Sequence, residues 1–306
     1  MRSRLVRAAL SKVPAGFPWT APTWPTSLPR PAARGGLGAA YDTTWARTPV
    51  ARAVRAALLE AVGRPVSSLV ASPEVRGLDR LGELEAPAIF VANHSSHLDT
   101  LLVLSVLPPR FRHASIVAAG ADYFFDRGWK AVVSAGLLGA IPMERQRVNR
   151  QSSEMAAERL AEGWNLIIFP EGGRSPDGWA QPFRAGAAHL WIQSGVPVVP
   201  IHISGTRAIL PKGTVRVRRA PTVVTFGAPV RARGGEDARR FAVRVEQAVA
   251  QLADESATDW WSARLRASAD STPPLQGPEG SGWRRSWALP ANDGRSRSDS
   301  KRWPGV

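Results

Sequence analysis

The chain has 306 residues, 44% of them hydrophobic, and carries 40 Lys and Arg against 25 Asp and Glu, for a net charge of +15. It has no cysteine, which excludes disulfides, thiolate metal sites and a thiol nucleophile, and none of its five histidines stands in an H-E-x-x-H arrangement, so no metal is expected. A basic field of this size favours polyanions, whether nucleic acid, anionic lipid headgroups or phosphorylated substrates, without choosing among them.

The start, Met1-Arg2-Ser3-Arg4-Leu5-Val6-Arg7, has the charge of a signal peptide, but Ser11-Lys12 and Pro14 break the apolar stretch too early. Prolines crowd residues 1–44, where Trp19 and Trp24 sit in Phe17-Pro18-Trp19-Thr20-Ala21-Pro22-Thr23-Trp24-Pro25, so this stretch reads as an irregular arm. Its tryptophans suit a membrane interface and packing on the domain equally. A helix is predicted to open at Thr48-Pro49, a cap residue followed by proline at the first helical position, and to end at Gly63. Val50, Val54 and Leu58 fall four apart on it, with Arg52 and Arg55 off the stripe. That pattern fits a helix lying in a bilayer interface or one packed on a core.

From about residue 85 the pattern becomes α/β. Apolar runs of strand length occupy 88–92, 115–119, 166–169, 196–203 and 223–226. Helical stretches at 97–107, 154–162 and 185–194 lie between them, and another starts near Asp237. Short apolar strands alternating with helices predict a largely parallel mixed sheet covered by helices on both faces, with the amphipathic helix at its N-terminal side. The domain is placed at 45–262, its core at 85–230, and residues 263–306 read as a basic tail without regular structure. No apolar run reaches the roughly 18 residues of a spanning helix, and the segment 131–143 reads as a core element. The expected location is therefore cytoplasmic, peripherally on the inner face of the cell membrane.

The informative segment is Val91-Ala92-Asn93-His94-Ser95-Ser96-His97-Leu98-Asp99-Thr100, at the end of a predicted strand and the start of a helix. Ligand sites gather at the carboxyl ends of such strands. With His94 in the loop and Asp99 in the first helical turn the two can meet, and a carboxylate on one imidazole nitrogen leaves the other as a general base. Ser96-His97-Leu98-Asp99 also matches a helix-capping box, which accounts for the aspartate without catalysis. A second segment, Phe169-Pro170-Glu171-Gly172-Gly173-Arg174-Ser175, follows another strand; Arg174 suits a phosphate, and a turn with solvated charges explains it as well. A third, Gly139-Ala140-Ile141-Pro142-Met143-Glu144-Arg145, again leads to an arginine. His97, His189 and His202 read as packed or hydrogen-bonded histidines.

In order and spacing these segments resemble the phosphate acyltransferases of the glycerolipid pathway, the family of bacterial 1-acyl-glycerol-3-phosphate acyltransferases. The N-H-x-x-x-x-D hallmark stands at Asn93, His94 and Asp99, the second block at Gly139 to Arg145, the third at Phe169 to Ser175, and an apolar strand block at Val196-Pro197-Val198-Val199-Pro200-Ile201. The resemblance implies that His94 is the general base, that Asp99 orients it, that Arg145 and Arg174 bind an acceptor phosphate, and that Glu171 with Gly172 shapes that pocket. It also implies a direct attack on a thioester, with acyl-coenzyme A or an acylated carrier protein as co-substrate, no other cofactor, a lysophosphatidic-acid-like acceptor and an anionic membrane surface as partner. Pro142 and Met143 stand where Phe and Ile are usual, and Gly173 replaces a threonine. These departures leave other acceptors open: glycerol 3-phosphate, another lysophospholipid, an amino-lipid or a glycolipid.

A hydrolase would need G-x-S-x-G, and Gly173-Arg174-Ser175-Pro176-Asp177 fails at the last position. A nucleic-acid binder would set arginines and aromatics along strands or one helix. Here the basic excess is heavy in the first 56 residues and thin along the predicted strands, which argues against that class.

Overall fold

The computed structural model describes residues 38–144, 150–214 and 216–289. Most of the proline-rich arm, with Trp19 and Trp24, lies outside the described residues. Its end does not: Gly38–Ala40 form a 3-10 turn, and Tyr41 packs its ring 5.6 Å from Phe125, so the folded unit begins ahead of residue 45.

Helix α1 (Pro49–Leu58) opens as expected, with the Thr48 hydroxyl accepting from the Ala51 amide. It does not end at Gly63. A π turn (Leu59–Gly63) carries it into α2 (Arg64–Ala71). Pro65 has no N–H to return to the preceding turn, which loosens the ladder there without stopping it. Gly63 marks a close approach instead, since a Cβ there would lie 3.2 Å from Leu101 of the neighbouring helix.

Strand β1 (Pro73–Arg76) follows, then β2 (Ile89–Ala92), α3 (Leu98–Val106) and β3 (Ser115–Gly120). The apolar run 131–143 is not one core element. It divides at Gly139, in the left-handed region at φ 64°, into α4 (Gly128–Leu138) and β4 (Ala140–Met143). Next come α5 (Arg150–Ala161), β5 (Asn165–Ile168), α6 (Ala185–Ser194), β6 (Val198–Ser204), β7 (Thr222–Phe226) and α7 (Ala238–Ala257), the last capped by Asp237.

The strands form one seven-stranded sheet in the order β1-β7-β6-β2-β5-β3-β4. Every pairing is parallel except β6 with β7, so the sheet is largely parallel and mixed as expected. Its central strands are apolar on both faces because both are covered. Ile89, Val91, Ile116, Leu166 and Ile168 pack under α5, α6 and α7 with Trp191 and Phe241. Phe90, Val117, Ile167 and Val199 pack on the other side with Leu59, Leu102 and Phe111. Each such side chain contributes about 1.5–3 kcal/mol on burial. The Phe90 and Phe111 rings, 5.4 Å apart and nearly perpendicular, add an aromatic contact.

Part of the expected tail is ordered. Helix α8 (Trp260–Ser268) is capped by Asp259, Leu275 is only 7% exposed among core residues, and α9 (Gly282–Trp287) follows. A composition rich in Ser, Pro and Gly hides such isolated anchors. Strand pairing fixes the site. In β2 and β5, parallel neighbours, Val91 faces Ile168, so residues 93–99 and 169–175 leave the sheet side by side at its carboxyl edge.

Candidate active site

Asn93 pins the first loop. Its amide group bonds both ways to the Ile203 backbone of β6, donating to the carbonyl at 2.8 Å and accepting from the N–H at 2.7 Å. The next residue, His94, turns its imidazole onto the Phe169 ring at 4.3 Å, nearly parallel. Its Nδ1 lies 2.9 Å from Asp99 Oδ2. Asp99 is fully buried, and the same oxygen accepts from the Ser95 amide at 2.7 Å and the Ser96 amide at 2.8 Å. Both sequence readings of Asp99 are thus present in one carboxylate: it closes the helix start and it holds the imidazole. An acceptor at Nδ1 fixes the proton there and leaves Nε2 with a lone pair.

Glu171, which the resemblance assigned to shaping the pocket, is buried between two loops. It is 1% exposed, and its oxygens accept from the His94 amide at 2.7 Å and the Gln181 amide at 2.9 Å. The carboxylate therefore fastens the His94 loop to the loop after β5. Burial pushes its pKa up to about 8, against the two amides that favour the charged form. Ser175 adds a second tie, its N–H donating to the His94 carbonyl at 2.8 Å.

A cleft of about 170 Å³ opens beside His94. Val117, Leu138, Ala140 and Leu190 line its apolar part, and Arg174, Arg184 and Glu144 its polar part. Among the described residues no carboxylate pairs with Arg174. Gly172 has φ 72°, and a Cβ there would come within 2.7 Å of Arg184 Nε, so the glycine lets that side chain cross. At Gly173 an added Cβ would meet nothing within 4 Å, so replacing the usual threonine leaves open room. Arg145 lies outside the described residues.

Two lining residues were not singled out in the sequence. Phe169 opens the third block, but nothing in the sequence says that the histidine stacks on it. Arg184 stands just before α6, in Pro182-Phe183-Arg184, and an arginine at a helix start is a weak signal in so basic a chain. His97 lines the cleft while its ring stacks on Tyr123 at 5.3 Å. His202 is half-buried, its Nδ1 has no hydrogen-bond partner among the described residues, and desolvation lowers its pKa to about 4. His189 is exposed on α6.

A mostly parallel sheet thus carries a His–Asp couple at its carboxyl edge, beside a cleft lined by both apolar and charged side chains. The sequence profile described as Acyltransferase matches residues 72–204 and, with the relatives that follow, supports a PlsC-like glycerolipid acyltransferase family. It is 33% identical over 143 residues to the chloroplastic 1-acyl-sn-glycerol-3-phosphate acyltransferase BAT2 of Brassica napus, covering 46% of this chain and 40% of that protein. To the human 1-acyl-sn-glycerol-3-phosphate acyltransferase alpha it is 31% identical over 199 residues, covering 61% of this chain and 65% of that one. The chain thus spans about half of the length of the relatives it matches. The crystal structure of the 1-acyl-sn-glycerophosphate acyltransferase PlsC from Thermotoga maritima shares the fold, with a TM-score of 0.53 at 24% identity, over 70% of this chain and 85% of that one.

Proposed function

We propose that this protein transfers a fatty acyl group from a thioester carrier, acyl-coenzyme A or an acylated carrier protein, to the hydroxyl of a lysophosphatidic-acid-like acceptor. The observation that carries the reading is the His94–Asp99 couple at 2.9 Å beside a cleft lined by apolar side chains and by Arg174, which no carboxylate pairs among the described residues. His94 Nε2 takes the proton of the acceptor hydroxyl as its oxygen attacks the thioester carbonyl. The tetrahedral intermediate collapses, the C–S bond breaks, and the thiolate leaves with the proton held by the imidazolium. Asp99 keeps the ring oriented and stabilises its charged form. Arg174, with Arg145 as its proposed companion, meets the acceptor phosphate.

Release of free thiol from a long-chain acyl-coenzyme A, with and without lysophosphatidic acid, tests the reaction. Release is expected to depend on the acceptor, and thioester loss indifferent to it would sink the proposal. Arg174→Ala is expected to raise the KM for lysophosphatidic acid by roughly 10–100-fold, the loss of a charged hydrogen bond, with kcat less affected. An unchanged KM would point to a neutral acceptor.

We also propose that the protein attaches peripherally to the anionic inner face of the cell membrane. Among the described residues no helix is long and apolar enough to cross a bilayer. Yet Val50, Val54, Leu58 and Val62 form an exposed stripe along α1 and the π turn, and α4, which packs beside α1, exposes Trp129, Val133 and Leu137. Burying a Val or Leu in lipid stabilises by about 1.5 kcal/mol or more. Val54→Asp with Leu58→Asp is therefore expected to weaken retention on anionic vesicles by at least about tenfold. Retention equal to the wild type would place the membrane contact elsewhere.

A further inference from the structure

Residues 275–289 lie beyond the matched family segment and close over the loop that joins Arg174 to Arg184. The Ala180 amide donates to the Leu275 carbonyl at 3.2 Å, and the Trp179 indole N–H donates to the Arg285 carbonyl at 2.9 Å. The Arg285 guanidinium meets Asp177 Oδ2 at 2.8 Å through both Nε and Nη2. The Trp179 ring lies over Gly277, where a Cβ would come within 2.2 Å, and Leu289 covers Gly178. Glu246 of α7 binds both partners from beneath, accepting from the Phe183 amide and from the Gln276 side chain, each at 2.7 Å. Leu275, 7% exposed, roots the strap in the core.

We infer that residues 275–289 are a positioning clamp that sets the placement of Arg174 and Arg184 at the acceptor end of the cleft, with the Arg285–Asp177 pair as its latch. The inference rests on the reading that this end receives the acceptor phosphate. The loop between the two arginines has no regular secondary structure, and displacing a binding group by about 1 Å costs as much as 100-fold. The latch side chains are 25% and 36% exposed, so the pair adds little to overall stability. Its loss therefore acts on placement more than on folding.

The test is Arg285→Ala in the full chain, read by steady-state kinetics and by amide hydrogen exchange over residues 175–184. The expected result is a KM for lysophosphatidic acid raised roughly tenfold, with kcat and the KM for the acyl thioester within about twofold. Exchange in the loop is faster, Arg285→Lys restores most of the KM, and Trp179→Phe, which removes the indole N–H and part of the ring over Gly277, reproduces a smaller rise. Unchanged KM in both Arg285→Ala and Trp179→Phe overturns the clamp, as does a proportional fall in kcat with unchanged Michaelis constants. If the wild type itself does not use lysophosphatidic acid, the acceptor reading falls alone. The exchange measurement then decides the clamp: faster exchange in Arg285→Ala upholds it and unchanged exchange removes it.

Discussion

Replacing His94 by alanine is expected to lower kcat by about 10²–10⁴-fold, the range of a lost general base, with the fold intact. The local structure explains why the two effects separate. The loop is held by backbone: the His94 amide on Glu171, the His94 carbonyl on Ser175, and the Asn93 amide group on Ile203. None of these bonds uses the imidazole. The ring stacks on Phe169 and its side chain is 14% exposed, so its removal opens space at the cleft wall rather than a cavity in either core face. Asp99 Oδ2 keeps two backbone donors after the ring is gone. Initial rates with a saturating thioester, set beside thermal unfolding, measure both halves. Turnover at the wild-type level would remove His94 from the mechanism. A low rate accompanied by an early melt would make the loss structural.

The parts of the structure legible in the sequence were those with a repeating local signal. Strands β2, β3, β5, β6 and β7 appear as short apolar runs because both faces of the sheet are covered, and α6 is bounded by Gly195, which takes the left-handed cap at φ 64°. Where one apolar run held two elements, as on either side of Gly139, periodicity could not divide it. Gly63 does not end its helix; a glycine that admits a neighbouring Leu101 looks, in one sequence, like a glycine that ends one. The meeting of His94 and Asp99 is legible in the sequence because both lie within one loop-to-helix turn. The buried bridge from Glu171 to two backbone amides, and the closure of residues 275–289 over Asp177 and Trp179, join positions far apart in the chain. No local pattern encodes such ties; they follow from β2 and β5 being neighbours and from a single buried leucine at 275.

The second large effect is expected at Asp99, where two substitutions separate the cap from the catalyst. Asp99→Asn keeps an oxygen that can accept from the Ser95 and Ser96 amides, so the helix start and the melting temperature should change little. The amide carries no charge to stabilise an imidazolium. With its oxygen in the place of Oδ2 the amide still accepts from His94 Nδ1, so what the imidazolium loses is the negative charge beside it. A fall in kcat of about 10²–10⁴-fold is expected, comparable to that of His94→Ala. Asp99→Ala removes the carboxylate altogether and leaves two amides without their acceptor, one of them on the buried Ser96. An unsatisfied buried donor costs about 1–3 kcal/mol, so this variant should lose stability as well as activity. Equilibrium unfolding and initial rates on the two variants decide between the roles. An Asp99→Asn enzyme that is stable and fully active would reduce Asp99 to a helix cap. One that is stable and inactive, beside an unstable and inactive Asp99→Ala, would show the same oxygen serving the fold through Ser95 and Ser96 and the chemistry through His94.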